Sequence, residues 1–146
     1  ALPPRPETAS LIELILQSDL TAQPTPRLID VGTGTGCIAL TLASHLPNAH
    51  LEAVDSSEAA LALTWENAEK LDLSKRIVLH HNNLLSERPD DTYDAIISNP
   101  PYIATDHWKA LAPSVKEFEP RAALDAGPAG TDCYEAPAPH AWRANI

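Results

Sequence analysis

At 146 residues the chain is long enough for one domain around one core, burying roughly 70% of its unfolded surface. Hydrophobic residues make up 44%, a globular rather than a disordered composition, and no apolar run approaches the length of a membrane span. The formal charge of −10 argues against a non-specific grip on nucleic acid, which needs Lys and Arg to displace counterions. Cys37 and Cys133 form no CxxC pair, so neither a metal site nor a disulfide framework is indicated. The chain opens on Ala1 and prolines rather than on Met or a signal peptide, as a processed or excised piece would. An intracellular, reducing setting is the default expectation.

Leu2 to Thr8 is too rich in proline for helix or strand, and a helix is expected from Thr8 to Ser18, with Leu11, Ile12, Leu14 and Ile15 at helical spacing. Thr21 to Pro26 reads as a turn-rich connector. Arg27 to Val31 is a short apolar strand that runs straight into Gly32-Thr33-Gly34-Thr35-Gly36. Cys37 to His45 is the helix after that loop, stopped by Pro47. His50 to Val54 is a second strand closed by Asp55, and Ser57 is an N-cap for a helix through Leu71. That helix carries Ala60, Leu61, Trp65 and Ala68 on one side, so Trp65 is expected in the core. Arg76 to Leu79 and Tyr93 to Ile97 are the third and fourth strands. Strands alternating with helices imply a parallel sheet with covered faces. Asp106 to Ala112 could form a short helix, and residues 133–146 read as an irregular tail behind a domain spanning 1–132, with 1–20 as its lead-in.

Two stretches carry chemistry. Glycine is needed where a backbone turns with positive φ and lets a ligand lie against it, and Gly32, Gly34 and Gly36 alternate between a strand and a helix. The spacing is GxGxG, not the GxGxxG of a pyrophosphate-binding turn, and no Walker lysine follows. Asp55 ends the next strand, where a carboxylate can accept both ribose hydroxyls of a nucleoside. A parallel sheet brings Asp30, the glycine loop, Asp55 and Asn99 to the carboxyl ends of strands, where open α/β sheets bind ligands. The plainer alternative is a tight strand–helix turn with Asp55 as a surface cap. The second stretch is Ser98-Asn99-Pro100-Pro101-Tyr102. Asn99 precedes proline and is pushed to an extended conformation, and the prolines offer carbonyl acceptors without N–H donors of their own. A rigid turn showing acceptors beside an aromatic suits a planar N–H-bearing group, although Asn-Pro and Pro-Pro are also ordinary turn dipeptides.

Leu28 to Gly36, then Val54-Asp55, then Ser98 to Tyr102 resemble a class I S-adenosylmethionine-dependent methyltransferase. Within that superfamily the chain is similar to the HemK/PrmC protein-(glutamine-N5) methyltransferases, which modify the glutamine of the Gly-Gly-Gln motif in peptide chain release factors. Two flanking signatures narrow the resemblance: Pro4-Arg5-Pro6-Glu7-Thr8 resembles the stretch just before the catalytic domain, and Val115 to Leu124 the segment after the NPPY loop. The similarity covers roughly residues 2 to 130, and NPPY alone is shared with DNA N6-adenine methyltransferases. It implies an α/β, Rossmann-like fold with strand order 3-2-1-4. The family adds an N-terminal helical domain and further C-terminal strands for which the sequence shows no counterpart, so the sheet is expected to be incomplete at its C-terminal side.

By resemblance, Gly32, Gly34 and Gly36 would lie against the methionine part of S-adenosylmethionine, Asp30 near its amino group, and Asp55 on the ribose diol. Asn83 stands where the family has an Asp facing the adenine amine; its carbonyl can still accept, without charge assistance. The Asn99 side-chain oxygen and the Pro100 carbonyl would each accept an N–H of the substrate amide, with Asn99 also bordering the cofactor. Tyr102 would pack on the flat amide and Pro101 would stiffen the turn. Arg5 could line the substrate entrance or be a solvated loop arginine. The partner implied is a release factor, with no membrane partner, in the cytoplasm or the mitochondrial matrix. Two alternatives stay open: an N6-adenine-type nucleic-acid methyltransferase, disfavoured by the acidic balance, and a truncated, non-catalytic domain that binds cofactor or a partner. The six histidines fall mostly in predicted loops, and the adjacent His80-His81 pair would point to opposite faces of a strand.

Overall fold

The computed structural model describes residues 6–82 and 92–99, with side chains from Thr8 onward. Four short runs form strands β1 (Arg27–Val31), β2 (His50–Asp55), β3 (Ile77–His81) and β4 (Ala95–Ser98). All neighbouring pairs are parallel and the order is β3-β2-β1-β4, the order expected from the sequence. The register sets Val31 beside both Val54 and Ser98, so β1 and β4 end at one level and β2 runs one residue further, to Asp55.

Helices α1 (Pro6–Leu16), α2 (Cys37–His45) and α3 (Glu58–Lys70) pack on one face of this sheet. Alternation along the strands sends Leu28, Leu51, Ala53, Ile77 and Ile97 to that face. Ile12 and Ile15 of α1 and Ile38, Leu42 and Ala43 of α2 close over Leu28, Leu51 and Ile97 in one cluster. Ala39, Leu40 and Ala68 meet Ala53 and Ile77 in a second, bringing α3 onto the sheet. The opposite face carries Ile29 and Val54 with the buried ring of Tyr93. Each buried Leu or Ile adds about 1.5–3 kcal/mol, and that apolar seam orients the three helices.

Helix α1 starts at Pro6, two residues before the sequence suggests. Proline suits the first helical position, where its missing N–H would have no helical acceptor and its fixed φ is already helical. Leu14 turns outward, 67% exposed, and the buried stripe is Thr8, Ile12 and Ile15. The connector after α1 holds a short 3₁₀ turn, Asp19–Ala22, capped by the Ser18 side chain. Helix α2 has the expected bounds, and α3 is capped by Ser57, whose Oγ accepts from Ala60 N at 3.3 Å.

Trp65 is 43% exposed rather than buried, because Thr64 and Ala68, both at 0%, hold the inward face of α3. A residue following Thr64 sits about 100° further round the helix and falls on its flank. Strand β3 runs on to His81, and β4 begins at Ala95, the partner of Leu28, leaving Tyr93 ahead of the ladder. The described histidines lie on regular elements and not in loops: His45 closes α2, His50 opens β2, and His80 and His81 end β3. Arg5, Asn83, Pro100, Pro101, Tyr102, the helix expected over Asp106 to Ala112, the 1–132 boundary and the 133–146 tail lie outside the described residues. Among the described residues no helix is long and apolar enough to cross a membrane.

Candidate functional site

The turn from β1 to α2 is built by glycine. Gly32, Gly34 and Gly36 take φ of 74°, 61° and 79°, the left-handed region that an L side chain enters only at a cost. Gly32 N and Thr33 N both donate to Val54 O, at 2.8 and 3.1 Å, which ties the loop to the carboxyl end of β2. Gly36 N closes the turn on Thr33 O at 2.9 Å, and its own carbonyl then accepts from Leu40 N at 2.8 Å as α2 begins. A Cβ at Gly36 would stand 2.7 Å from Thr64 Cγ2, whereas one at Gly32 would meet nothing within 4 Å. Glycine is therefore required at 36 for packing, while Gly32 opens onto free space.

Asp55 bridges the loop and the next helix. Its Oδ2 accepts from Gly34 N at 2.9 Å and its Oδ1 from Ser57 N at 2.9 Å. The capping role considered from the sequence is thus present, and it does not exhaust the group: an ionised carboxylate has about four lone-pair sites, so acceptor capacity remains.

Asp30 lies at the end of β1, 1% exposed. Its Oδ2 accepts from Thr33 Oγ1 at 2.7 Å and from Ala39 N at 3.3 Å. Its Oδ1 is buried with no partner among the described residues. Burial pushes the carboxyl up from 3.8 to about 6, against the pull of those two hydrogen bonds and with a small push from the Asp55 charge. An acceptor left buried without a donor, next to a loop that opens onto free space, calls for an N–H or a cation.

Asn99 follows Ser98 at the end of β4, on the far side of β1 from Asp55. Ser98 Oγ donates to Val31 O at 2.8 Å, which clips the ends of β4 and β1 together just before Gly32. The Asn99 side chain is exposed, and its Nδ2 donates to Thr8 Oγ1 at 3.2 Å. Asp30, the three glycines, Asp55 and Asn99 therefore gather along the carboxyl edge of the sheet, where the strand pattern places them.

The family profile described as the methyltransferase small domain matches residues 11–118. The chain belongs to that family. Among curated proteins, it is 47% identical over 135 residues to a release factor glutamine methyltransferase of Cereibacter sphaeroides, covering 92% of this chain and 46% of that protein. It is 42% identical over 140 residues to the human MTRF1L release factor glutamine methyltransferase, covering 88% of this chain and 41% of that one. The chain thus spans about half the length of the curated relatives it matches. Among solved structures, a methyltransferase from Geobacter sulfurreducens in complex with S-adenosyl-L-homocysteine superimposes with a TM-score of 0.52 at 22% identity, over 64% of this chain and 36% of that one. That likeness establishes the fold.

In this methyltransferase small domain, several site residues escape motif reading. Thr64 Oγ1 donates to Gly34 O at 3.1 Å and Asn67 Nδ2 to Thr35 O at 2.9 Å, so α3 braces the glycine loop from behind. Their signal in the sequence is a polar pair three residues apart in the middle of a helix, with Thr64 wholly buried. At the end of β3, Asn82 Oδ1 is a second buried acceptor with no partner among the described residues. It neighbours Asn83, the residue matched to the adenine contact. The cleft of about 400 Å³ lined by Leu16, Leu20, Pro26, Leu46 and Ala49 opens at the other end of the strands and has no part in this site.

Away from the site, on the face of the sheet opposite the three described helices, Glu52 is 5% exposed and heavily bonded. It accepts from Tyr93 Oη at 2.9 Å and Arg27 Nη2 at 3.1 Å, and meets His80 Nε2 at 2.8 Å and His50 Nε2 at 3.3 Å. Burial raises this carboxyl, but the hydrogen bonds from Tyr93, Arg27 and His80 outweigh it and hold Glu52 below its usual range. His81 turns the other way, to Ser56 O at 3.1 Å, so the adjacent histidines serve opposite faces.

Proposed function

We propose that the protein transfers a methyl group from S-adenosylmethionine to the side-chain amide nitrogen of a glutamine in a peptide chain release factor, the glutamine of its Gly-Gly-Gln loop. The observation that carries this function is the meeting of the glycine loop and Asn99 at the carboxyl ends of adjacent strands β1 and β4. Identity of 42–47% to release factor glutamine methyltransferases supports the choice of acceptor.

The residues present fit the cofactor. Gly32 leaves open space for a ligand against the backbone, the buried Asp30 Oδ1 has no donor among the described residues, and Asp55 keeps acceptor capacity for a diol. Bound there, S-adenosylmethionine supplies a sulfonium methyl group already activated for direct displacement. Gly32, Gly34 and Gly36 would carry its methionine part, Asp30 would accept from its amino group, Asp55 from its ribose hydroxyls, and the adenine amine would donate to Asn83.

The protein's own task is the nucleophile. An amide nitrogen delocalises its lone pair into the carbonyl, so it must be aimed and enriched in electron density. Asn99 Oδ1 accepts one N–H of the glutamine amide, the Pro100 carbonyl accepts the other, and Tyr102 packs on the amide plane. Orientation is then the main catalytic contribution. No base is needed before attack, because the methylated nitrogen becomes strongly acidic and sheds its proton afterwards. By the family resemblance Pro101 would stiffen the turn and Arg5 would line the substrate entrance. A release factor as partner places the protein where translation terminates, in the cytoplasm or the mitochondrial matrix.

The deciding experiment offers S-adenosylmethionine with a labelled methyl group together with either a release factor or adenine-bearing DNA. Label in the release factor is expected. Label in DNA alone would replace the acceptor by a base, and cofactor binding without turnover would leave a binding domain only.

A further inference from the structure

We infer that Thr8 is a positioning residue that fixes the place of the Asn99 side-chain amide for the substrate. This inference rests on the function proposed above and adds a residue to it. The two amino-acid stretches concerned lie 91 positions apart, yet Asn99 Nδ2 is 3.2 Å from Thr8 Oγ1. Thr8 is 6% exposed, and it continues the inward stripe of α1 formed by Ile12 and Ile15. Those isoleucines pack in the same cluster as Ile97, two residues before Asn99. The hydroxyl is therefore anchored by the core and is not a chance surface neighbour.

The chemistry turns on which end of the Asn99 amide faces outward. A primary amide has one donor end and one acceptor end on the same carbon, and the two orientations differ by a half turn. The glutamine amide arrives with N–H groups, so Asn99 must show oxygen. With Nδ2 donating to the Thr8 hydroxyl, Oδ1 is the end left for the substrate. In the reverse orientation the Thr8 hydroxyl would donate to Oδ1, and two sets of N–H donors would face each other. A hydroxyl can pair with either end of an amide, so Thr8 fixes where the Asn99 amide lies, and the arriving N–H donors favour the half turn that shows them Oδ1.

Thr8→Val keeps the shape of the side chain and removes the acceptor. A net hydrogen bond of ordinary strength corresponds to a loss of about fivefold to tenfold in kcat. The affinity for S-adenosylmethionine by calorimetry and the melting temperature should stay near those of the unsubstituted protein. Thr8→Ser, which restores the acceptor, recovers most of the loss. In the unsubstituted protein, the Asn99 side-chain NH2 protons should show a nuclear Overhauser contact to the Thr8 methyl group. That measurement decides the matter even if Thr8→Val does not fold. Methylation of the release factor by the unsubstituted protein is the control that separates the two claims. Its failure removes the proposed function, whereas normal turnover with an unaffected kcat in Thr8→Val overturns only the role of Thr8. Equal losses in Thr8→Val and Thr8→Ser, or no contact between Asn99 and Thr8, would also overturn it.

Discussion

Replacing Asp30 by Asn should change the pH dependence of stability more than stability itself. Burial raises the Asp30 carboxyl from 3.8 to about 6. A group whose folded pKa is raised gives its full support to folding below its unfolded pKa, and loses it as the pH rises through the folded pKa. Keeping Asp30 ionised inside the fold at neutral pH therefore costs roughly 3 kcal/mol, and Asp30→Asn removes that cost. The substituted side chain can still accept from Thr33 and Ala39 through its oxygen, but it sets an NH2 group where Oδ1 now has no partner among the described residues. A buried donor left unsatisfied costs about 1–3 kcal/mol at every pH. The variant should thus be less stable than the unsubstituted protein near pH 4 and equal or slightly more stable near pH 7.5. The difference between the two should swing by about 2.5 kcal/mol toward the variant across that range. Urea midpoints followed by circular dichroism at a series of pH values measure it. A difference that does not vary with pH, or one that grows against the variant as the pH rises, would refute the buried-charge argument.

Other consequences separate packing from binding and from charge. Gly36→Ala should lose about 2–4 kcal/mol, combining left-handed strain with the clash against Thr64, and this shows in the melting temperature. Gly32→Ala has the strain alone, about 1 kcal/mol, and should instead weaken S-adenosylmethionine binding, read by calorimetry. Glu52→Gln should flatten the acid limb of the stability curve. The folded carboxyl lies below its usual range, so its support is present above the unfolded pKa and lost as the pH falls through the folded one. Equal acid sensitivity in Glu52→Gln and the unsubstituted protein would remove Glu52 from the stability argument.

What the sequence shows most clearly is what short-range rules govern. The strand β1, the glycine loop and helix α2 have the bounds their residues imply, because positive φ at Gly32, Gly34 and Gly36 is a local demand. The strand order also agrees with that expected from the family resemblance. Elements whose orientation depends on distant packing were less legible. Trp65 reads as core by spacing, yet the helix turns Thr64 inward because Thr64 bonds Gly34, 30 residues away in the chain. Pro6 reads as a helix breaker and in fact opens α1. Nothing near Glu52 in sequence announces a buried carboxylate, since Arg27, His80 and Tyr93 reach it from three other segments. The contact between Thr8 and Asn99 is of the same kind: both lie in recognisable stretches, and only the packing of α1 on β4 joins them.

The central claim is that Asn99 aims a glutamine amide at a methyl donor held on the glycine loop. Its most direct test is the mass of a release factor, with fragment mapping of its Gly-Gly-Gln segment, after incubation with S-adenosylmethionine and either the unsubstituted protein or Asn99→Ala. The unsubstituted protein should add one methyl group to the glutamine side chain, and Asn99→Ala should add none while still binding the cofactor by calorimetry. A methyl group found on another residue, or added to the glutamine equally well by Asn99→Ala, would contradict the claim.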